Sequence, residues 1–489
     1  MAHVNQRVKL LSKHWRLGLL VILGGLSVAS YIWAQSIMDL RQQTIEFEAV
    51  FFTALFLYLV SCIFVLNSRF DSPRVALGVI LFFAVLSRLP MLTMKPTLSD
   101  DMFRYVWDGR VQAQGISPYR YPPDSSELSS LSQDDSSIWP NINRKSVVTI
   151  YPPVAQASFL GIWYLVGDSV RGFKTIFVLG ELLAVIPLLL LLRLFHQPLE
   201  RSLIYLWSPL LIFEVAHAGH VDGILLPLLI LAFWARVRNR PWLLGMSLGF
   251  ATLIKLFPAL LLPALIPPPR KNRTDSLKTL LGFGGLITFA YLPYLLWSEN
   301  VIGFLPQYLD ENFNLGLAKW VFDLAPHLNI SRSILANIIT FGGIGIAGLV
   351  FLLKPVDSGK VALQRCVWLI AWFTLFTQNL FPWYLLWLLP LITLFLEPGK
   401  FMGIRITPIA AWFIFSGTIA LAYTFFIDWR VIPWAQWAEY LPLYLLIILA
   451  YSLKIFPVIR QNFTKFAALR PGNNPLVESN PSSFYRKDK

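Results

Sequence analysis

Apolar runs of about 18 residues recur along almost the whole chain, and that is the length a helix needs to cross the hydrocarbon core of a bilayer. This feature predicts an all-α integral membrane protein with about 12 to 14 transmembrane helices. Composition agrees. The 489 residues are 56% hydrophobic and 14% charged, whereas a soluble domain is nearer ~25% charged. A formal net charge of +14 invites a nucleic-acid partner. The Lys and Arg, however, sit between apolar runs rather than on one soluble face, as they do in basic cytoplasmic loops. The expected partner is therefore the lipid bilayer, with no nucleic acid. Cys62 and Cys366 both lie inside apolar runs. They are expected to be buried thiols, with no disulfide framework and no Cys-x-x-Cys metal site.

Basic residues set the orientation. Arg7, Lys9, Lys13 and Arg16 precede the first apolar run. They look like the charged region of a signal peptide, but no small-residue cleavage site follows and more spans do. The segment reads as an uncleaved first helix with its N-terminus inside. Spans are expected near 17–34, 47–66 and 75–93, with Arg69 and Arg74 inside. The third span then exits outside, into a hydrophilic loop with a Ser/Asp-rich centre from Asp124 to Ser137. The apolar stretch 154–167 is short for a span and reads as an interfacial or re-entrant helix.

The chain divides on this basis into the first three helices (1–94), an extracytoplasmic loop with interfacial helices (95–173), a helical core (174–457) with a second outer loop at 298–330, and a cytoplasmic tail (458–489). Spans within the core are expected near 174–195, 279–297, 331–353, 361–379, 384–397, 405–426 and 440–457. Segments 203–218 and 223–235 flank the polar turn Gly219-His220-Val221-Asp222. Residues 241–267 split at Lys255-Leu256-Phe257-Pro258, because one long helix there would break the charge rule.

The outer loop opens on a polar stretch from Leu98 to Tyr119. If it is helical from Asp100 to Gln112, Asp101, Arg104, Tyr105, Asp108 and Gln112 share one face. Two carboxylates, a guanidinium and a phenol on one stripe at a membrane edge make a candidate site. A salt-bridged surface helix is the plain alternative. The neighbouring aromatics Phe103, Trp107 and Tyr119 favour the site, being unusual on a merely solvated helix. Arg88, near the outer end of the third span, must snorkel or face a polar cavity.

The same orientation places further polar groups outside. They are Tyr151-Pro152-Pro153, the set Glu214, His217, His220 and Asp222, Lys255, the 298–330 loop, and Gln378-Asn379 with Trp383-Tyr384. This convergence predicts a single extracytoplasmic site. The His217-x-x-His220 pair has metal-ligand spacing, but the ligand set is incomplete. A helix-end hydrogen-bond cluster is the commoner outcome. A third reading has the histidines and Lys255 facing an anion such as a phosphate. Glu181 is either a site residue or a partner for another helix. Gln378 to Tyr384 is either an ordinary aromatic belt or a wall that stacks a sugar or holds a lipid.

Taken in order, Leu98-Ser99-Asp100-Asp101, Arg104-Tyr105-Val106-Trp107-Asp108-Gly109, Gly115-Ile116-Ser117-Pro118-Tyr119, Tyr151-Pro152-Pro153, Gly219-His220-Val221-Asp222, Lys255-Leu256-Phe257-Pro258 and Pro382-Trp383-Tyr384 resemble the C-type (GT-C fold) membrane glycosyltransferases. They are similar in particular to the bacterial mannosyltransferase-like branch. The resemblance spans roughly residues 75 to 400 and implies a multi-pass protein of the bacterial cytoplasmic membrane with its site facing outside. It implies a polyprenyl-phosphate sugar donor (mannose, from the branch), a glycan or glycolipid acceptor, and inverting displacement at the anomeric carbon. An acidic residue of the first large loop removes the acceptor's proton, which here is Asp101 with Asp100 as the alternate.

Inversion needs a base on the acceptor side and a stabilised leaving phosphate on the other. Arg104, His220 and Lys255, with Arg88 behind them, are the candidates for the phosphate, and Asp108 orients Arg104 or binds the sugar. Tyr105, Tyr151, His217, Asp222, Gln378, Trp383 and Tyr384 complete the candidate substrate-binding set. Many relatives carry Asp-x-Asp in this loop, whereas here the doublet Asp100-Asp101 follows Ser99. A divalent cation, Mg2+ or Mn2+, at that doublet is the one cofactor candidate, and no other metal cage is evident.

Two other function classes fit a polytopic chain. A polysaccharide ligase or polymerase acting on lipid-linked glycans would carry its main loop late in the chain, and here it follows the third span. A transporter or flippase for lipid-linked sugars would show related halves and midplane charges. No such halves are evident.

Overall fold

The computed structural model describes residues 2–133, 137–298, 300–399 and 403–468, with side chains described between residues 15 and 453. Among these residues every regular element is a helix, and the only extended pairing is an isolated bridge between Pro398 and Ile404. The main helices are α1 (Ala2–Ala34), α2 (Thr44–Asn67), α3 (Pro73–Thr93), α4 (Asp101–Ala113), α5 (Pro153–Val166), α6 (Val170–Leu194), α7 (Asp222–Val237), α8 (Pro241–Thr252), α9 (Arg273–Trp297), α10 (Arg332–Leu353), α11 (Gly359–Phe376), α12 (Pro408–Phe426) and α13 (Pro433–Ala468).

Seven of the described helices, α1 (from Trp15), α2, α3, α6, α9, α10 and α12, are long and apolar enough to cross a membrane. At 1.5 Å per residue, the 25 residues of α6 reach about 37 Å, more than the ~30 Å hydrocarbon core. Their outward side chains, among them Ile22, Phe56, Phe82, Leu179, Phe289 and Ile346, are exposed apolar groups. That is the surface a bilayer covers. The chain is an all-α integral membrane protein.

Local chemistry sets the helix starts. Proline occupies the first turn of α3, α5, α8 and α12, where its missing N–H costs nothing. The side chains of Ser169, Ser358 and Thr407 accept from backbone N–H groups at the starts of α6, α11 and α12.

The centre of the bundle is not a long helix. Residues 200–223 are all buried, yet they run as short pieces: Leu199–Ser202, Leu203–Leu206, Pro209–Leu211 and the π-helical turn Ile212–His217. The sequence pattern predicted one run over 203–218. Pro209 interrupts it by removing a backbone donor. The expected span at 384–397 is likewise divided, into Pro382–Trp387 and Leu389–Phe395. Broken backbone is tolerated at membrane depth only where protein or a cavity surrounds it. The central segment meets that condition, packing against α2, α3, α6 and the 382–395 pieces.

Buried charges hold this centre. Arg88 of α3 forms a two-pronged pair with Glu181 of α6, at 2.9 Å on each prong. It also donates to the carbonyls of Ala84 at 2.7 Å and Leu206 at 2.8 Å. Three segments meet at one guanidinium, so Glu181 is the partner of another helix. Lys174 of α6 is buried and donates to the carbonyls of Met91 and Met94, 2.8 Å each, closing the end of α3. Cys62 and Cys366 are free and buried. Of the expected tail, α13 carries the chain to Ala468 and the remainder lies outside the described residues, as do residues 134–136 of the Ser/Asp-rich centre.

Candidate active site

Helix α4 begins at Asp101, one residue from the expected start, and ends at Ala113, where Gly115 takes a positive φ of 75°. It lies against α5 so closely that a Cβ on Gly109 would sit 2.7 Å from the Phe159 carbonyl oxygen. The glycine of the Asp-Gly pair is therefore a packing requirement. Two backbone N–H groups at the start of α5, of Val154 and Ala155, both donate to the Leu253 carbonyl at 3.0 Å. The double proline thus ties its own helix start to the turn that carries Lys255.

These elements surround one cavity of about 680 Å³. Its polar wall includes Arg41, Asp100, Asp101, Arg104, Asn143, Arg144, Tyr151 and Lys255, and its apolar wall is mostly aromatic. Asp101 is about one-fifth exposed. Asn143 Nδ2 donates to its Oδ1 at 3.0 Å and the Tyr151 hydroxyl to its Oδ2 at 3.3 Å. Burial, with the Asp101 carboxylate beside them, holds the phenols of Tyr151 and Tyr105 well above their ordinary range. Tyr151 therefore stays a donor to Asp101. Asp100 points to another partner, with both oxygens accepting from Arg41 at 2.8 and 3.1 Å.

Each cation on the wall faces a carboxylate. Arg104 pairs with buried Asp108 at 2.8 Å, Arg144 with Glu311 at 2.6 Å, and Lys255 with buried Asp222 at 2.5 Å. Asp108 also accepts from Gln156 at 2.8 Å, so it orients Arg104. Asp222 accepts a second bond, from Trp387 at 2.8 Å. The Arg144–Glu311 pair joins the first outer loop to the second. Gln378 Nε2 and Asn379 Nδ2 hold that second loop through the carbonyls of Leu309 and Tyr308. Gln378 is buried in this clamp and does not line the cavity. Tyr308 and Tyr384 join hydroxyl to hydroxyl on the wall. Trp383 stacks on Phe381, with centroids 4.6 Å apart.

Of the residues singled out in the sequence, Asp100, Asp101, Arg104, Tyr151, Lys255, Trp383 and Tyr384 line the cavity. Arg88, Tyr105, Asp108, His217, His220 and Asp222 stand behind it, buried. Arg88 is consumed by Glu181, and Tyr105 stacks on Phe159 at 4.8 Å.

The three-residue step from Glu214 to His220 does not give one helical face. The π turn and Gly219, at φ 76°, fold the chain back until His220 N donates to the Glu214 carbonyl at 2.9 Å. Among the described residues no group of three or more His, Cys, Asp or Glu could hold a metal ion. At the doublet, Arg41 occupies both oxygens of Asp100 while Asp101 is held by neutral donors. The two carboxylates do not present a shared cage for a divalent cation.

Sequence reasoning missed Arg41, Asn143 and Arg144. Arg41 and Arg144 carried a signal, since both are basic residues in loops that the charge rule expects to be outside. Asn143 carried none.

The chain is thus an all-helical membrane bundle with a carboxylate-bearing cavity beneath its two long loops. The family model described as alpha-(1->6)-mannopyranosyltransferase, N-terminal domain, matches residues 17–267, and the chain belongs to that family. It is a membrane mannosyltransferase. The matched region carries Arg41, Asp101, Asn143, Tyr151 and Lys255, while Tyr308 and the aromatic wall from Leu380 to Trp387 lie beyond it. No curated protein matches the chain.

Proposed function

We propose that this protein moves mannose from a polyprenyl-phosphate donor to a hydroxyl of a glycan or glycolipid acceptor, with inversion, on the extracytoplasmic face of a bacterial cytoplasmic membrane. The carrying observation is that Asp101, about one-fifth exposed and held by Asn143 and Tyr151, shares one cavity with Arg41, Arg104, Arg144, Lys255 and an apolar wall. Polar and apolar walls in one space suit a ligand with a charged head and a hydrocarbon tail.

The acceptor hydroxyl gives its proton to Asp101 as its oxygen attacks the anomeric carbon. The bond from that carbon to the phosphate oxygen breaks, and polyprenyl phosphate leaves with the electron pair. A phosphate leaving group needs no strong acid. It needs positive charge placed in advance, which Arg104 and Lys255 supply, with Arg41 and Arg144 beside them.

The test uses purified protein in nanodiscs with a panel of labelled polyprenyl-phosphate sugars and a membrane lipid extract. Transfer from the mannosyl donor alone is expected. Transfer only from pyrophosphate-linked glycans would favour a ligase, and donor crossing vesicles without a covalent product would favour a flippase.

A further inference from the structure

His220 is fully buried, and both ring nitrogens lack a formed hydrogen bond. Two buried polar atoms left so are costly unless they engage something during function. The ring is not loosely placed, because it stacks on Trp383 with centroids 3.9 Å apart. Its Nδ1 lies 3.8 Å from Asp101 Oδ2 and its Nε2 3.3 Å from Glu214 Oε2. The far oxygen of Glu214 is fixed by the Tyr423 hydroxyl at 2.8 Å. An imidazole thus sits between the carboxylate that lines the cavity and a second carboxylate sealed in the core.

We propose that Asp101, His220 and Glu214 form a proton relay, with His220 passing on the proton that Asp101 takes from the acceptor. This rests on Asp101 being the base. A carboxylate is a weak base for an alcohol, and it gains if the proton does not remain on it. The relay starts with Glu214 ionised, accepting from the Tyr423 hydroxyl, and with the single His220 proton on Nε2. Asp101 then returns its proton through Oδ2 to His220 Nδ1 as the Nε2 proton passes to Glu214 Oε2. Asp101 is ionised again, His220 is neutral, and Glu214 is a neutral acid. After polyprenyl phosphate leaves, the proton returns by the same path to water in the emptied cavity. The 3.8 Å gap is of the kind that tightens once substrate fills a site.

The other groups around His220 are Lys255, whose charge reaches the ring, with its partner Asp222 two residues on. Tyr423 acts on it through Glu214.

The test compares kcat against pH for the parent, Asp101→Asn, His220→Asn and Glu214→Gln, each in nanodiscs with a mannosyl polyprenyl-phosphate donor and with melting followed in parallel. His220→Asn is expected to lower kcat about a hundredfold, to leave KM for the donor nearly unchanged, and to flatten the pH profile. Glu214→Gln keeps the size and the Tyr423 contact, so it carries the test if His220→Asn does not fold, and the same flattening is expected. A parent-like kcat and pH profile in Glu214→Gln, with Asp101→Asn inactive, overturns the relay and leaves Asp101 as base. Activity retained in Asp101→Asn removes the base assignment itself.

Discussion

Arg88 looked in the sequence like a ligand for the donor phosphate, and the structure makes it a staple instead. Its guanidinium donates twice to Glu181 and once each to two backbone carbonyls, all within the buried centre. Removing Glu181 alone, as in Glu181→Leu, strands that charge and should cost about 3–5 kcal/mol. Arg88→Leu leaves a carboxyl that can neutralise by binding a proton, so the cost falls to the unpaired carbonyl of Leu206, about 1–3 kcal/mol. The double variant Arg88→Leu/Glu181→Leu should sit near Arg88→Leu, more stable than Glu181→Leu. Thermal unfolding in nanodiscs, followed by intrinsic fluorescence of the 18 tryptophans, ranks the three. Transfer per folded molecule should remain within a fewfold of the parent in Arg88→Leu. An unchanged melting temperature together with lost donor binding would refute the staple and return Arg88 to the phosphate.

Asn143→Ala removes one of the two donors that orient Asp101. It should lower kcat roughly tenfold to a hundredfold with little change in KM, because a hydrogen bond to a charged group is worth about 1.5–3 kcal/mol. Steady-state kinetics on the pure enzyme reads this directly. Gly219→Ala puts a side chain at φ 76° and drives its Cβ into Met102. A loss of about 1–2 kcal/mol is expected in unfolding, and Gly219→Asn should be milder at the backbone. The paired variant Arg144→Cys/Glu311→Cys, bridged by a cleavable bis-maleimide long enough to replace the two side chains that meet there, should fasten the two loops over the cavity and block transfer, and cleaving the bridge should restore it. Unimpeded turnover in the cross-linked protein would show that this contact does not gate entry.

The membrane class and the meeting of distant segments were legible because both follow from solvation. Apolar runs mark what lipid covers, and basic loops mark the inner side, which left the 98–119 stretch, Tyr151, Lys255 and Trp383 on the other. The structure gathers these around one cavity. The stripe on α4 was legible from helical spacing alone. Several other points were not. The backbone between Ser202 and Asp222 could not be read as a fixed helical face, because a π turn and a left-handed glycine shift the register that the Glu214, His217 and His220 spacing assumed. A charge in a span signals that it is paired without naming the partner, so Arg88 and Glu181 were each noticed and not joined. Asn143 was invisible because a neutral amide in a polar loop has no periodic or electrostatic signature. Gln378 was found, but its work is to clamp the second loop through the Leu309 carbonyl.

If Asp101 takes the acceptor's proton in a transfer from lipid-phosphate mannose, loss of its basic oxygens should end transfer. Asp101→Asn keeps the shape and the contact with Tyr151 while removing the basic oxygen pair. Parent and variant, reconstituted in nanodiscs with labelled mannosyl polyprenyl phosphate and acceptor lipid, should melt within a few degrees of each other and bind donor alike. No labelled product is expected from the variant above the background without enzyme. Labelled product formed by Asp101→Asn at a rate within a few-fold of the parent would contradict it.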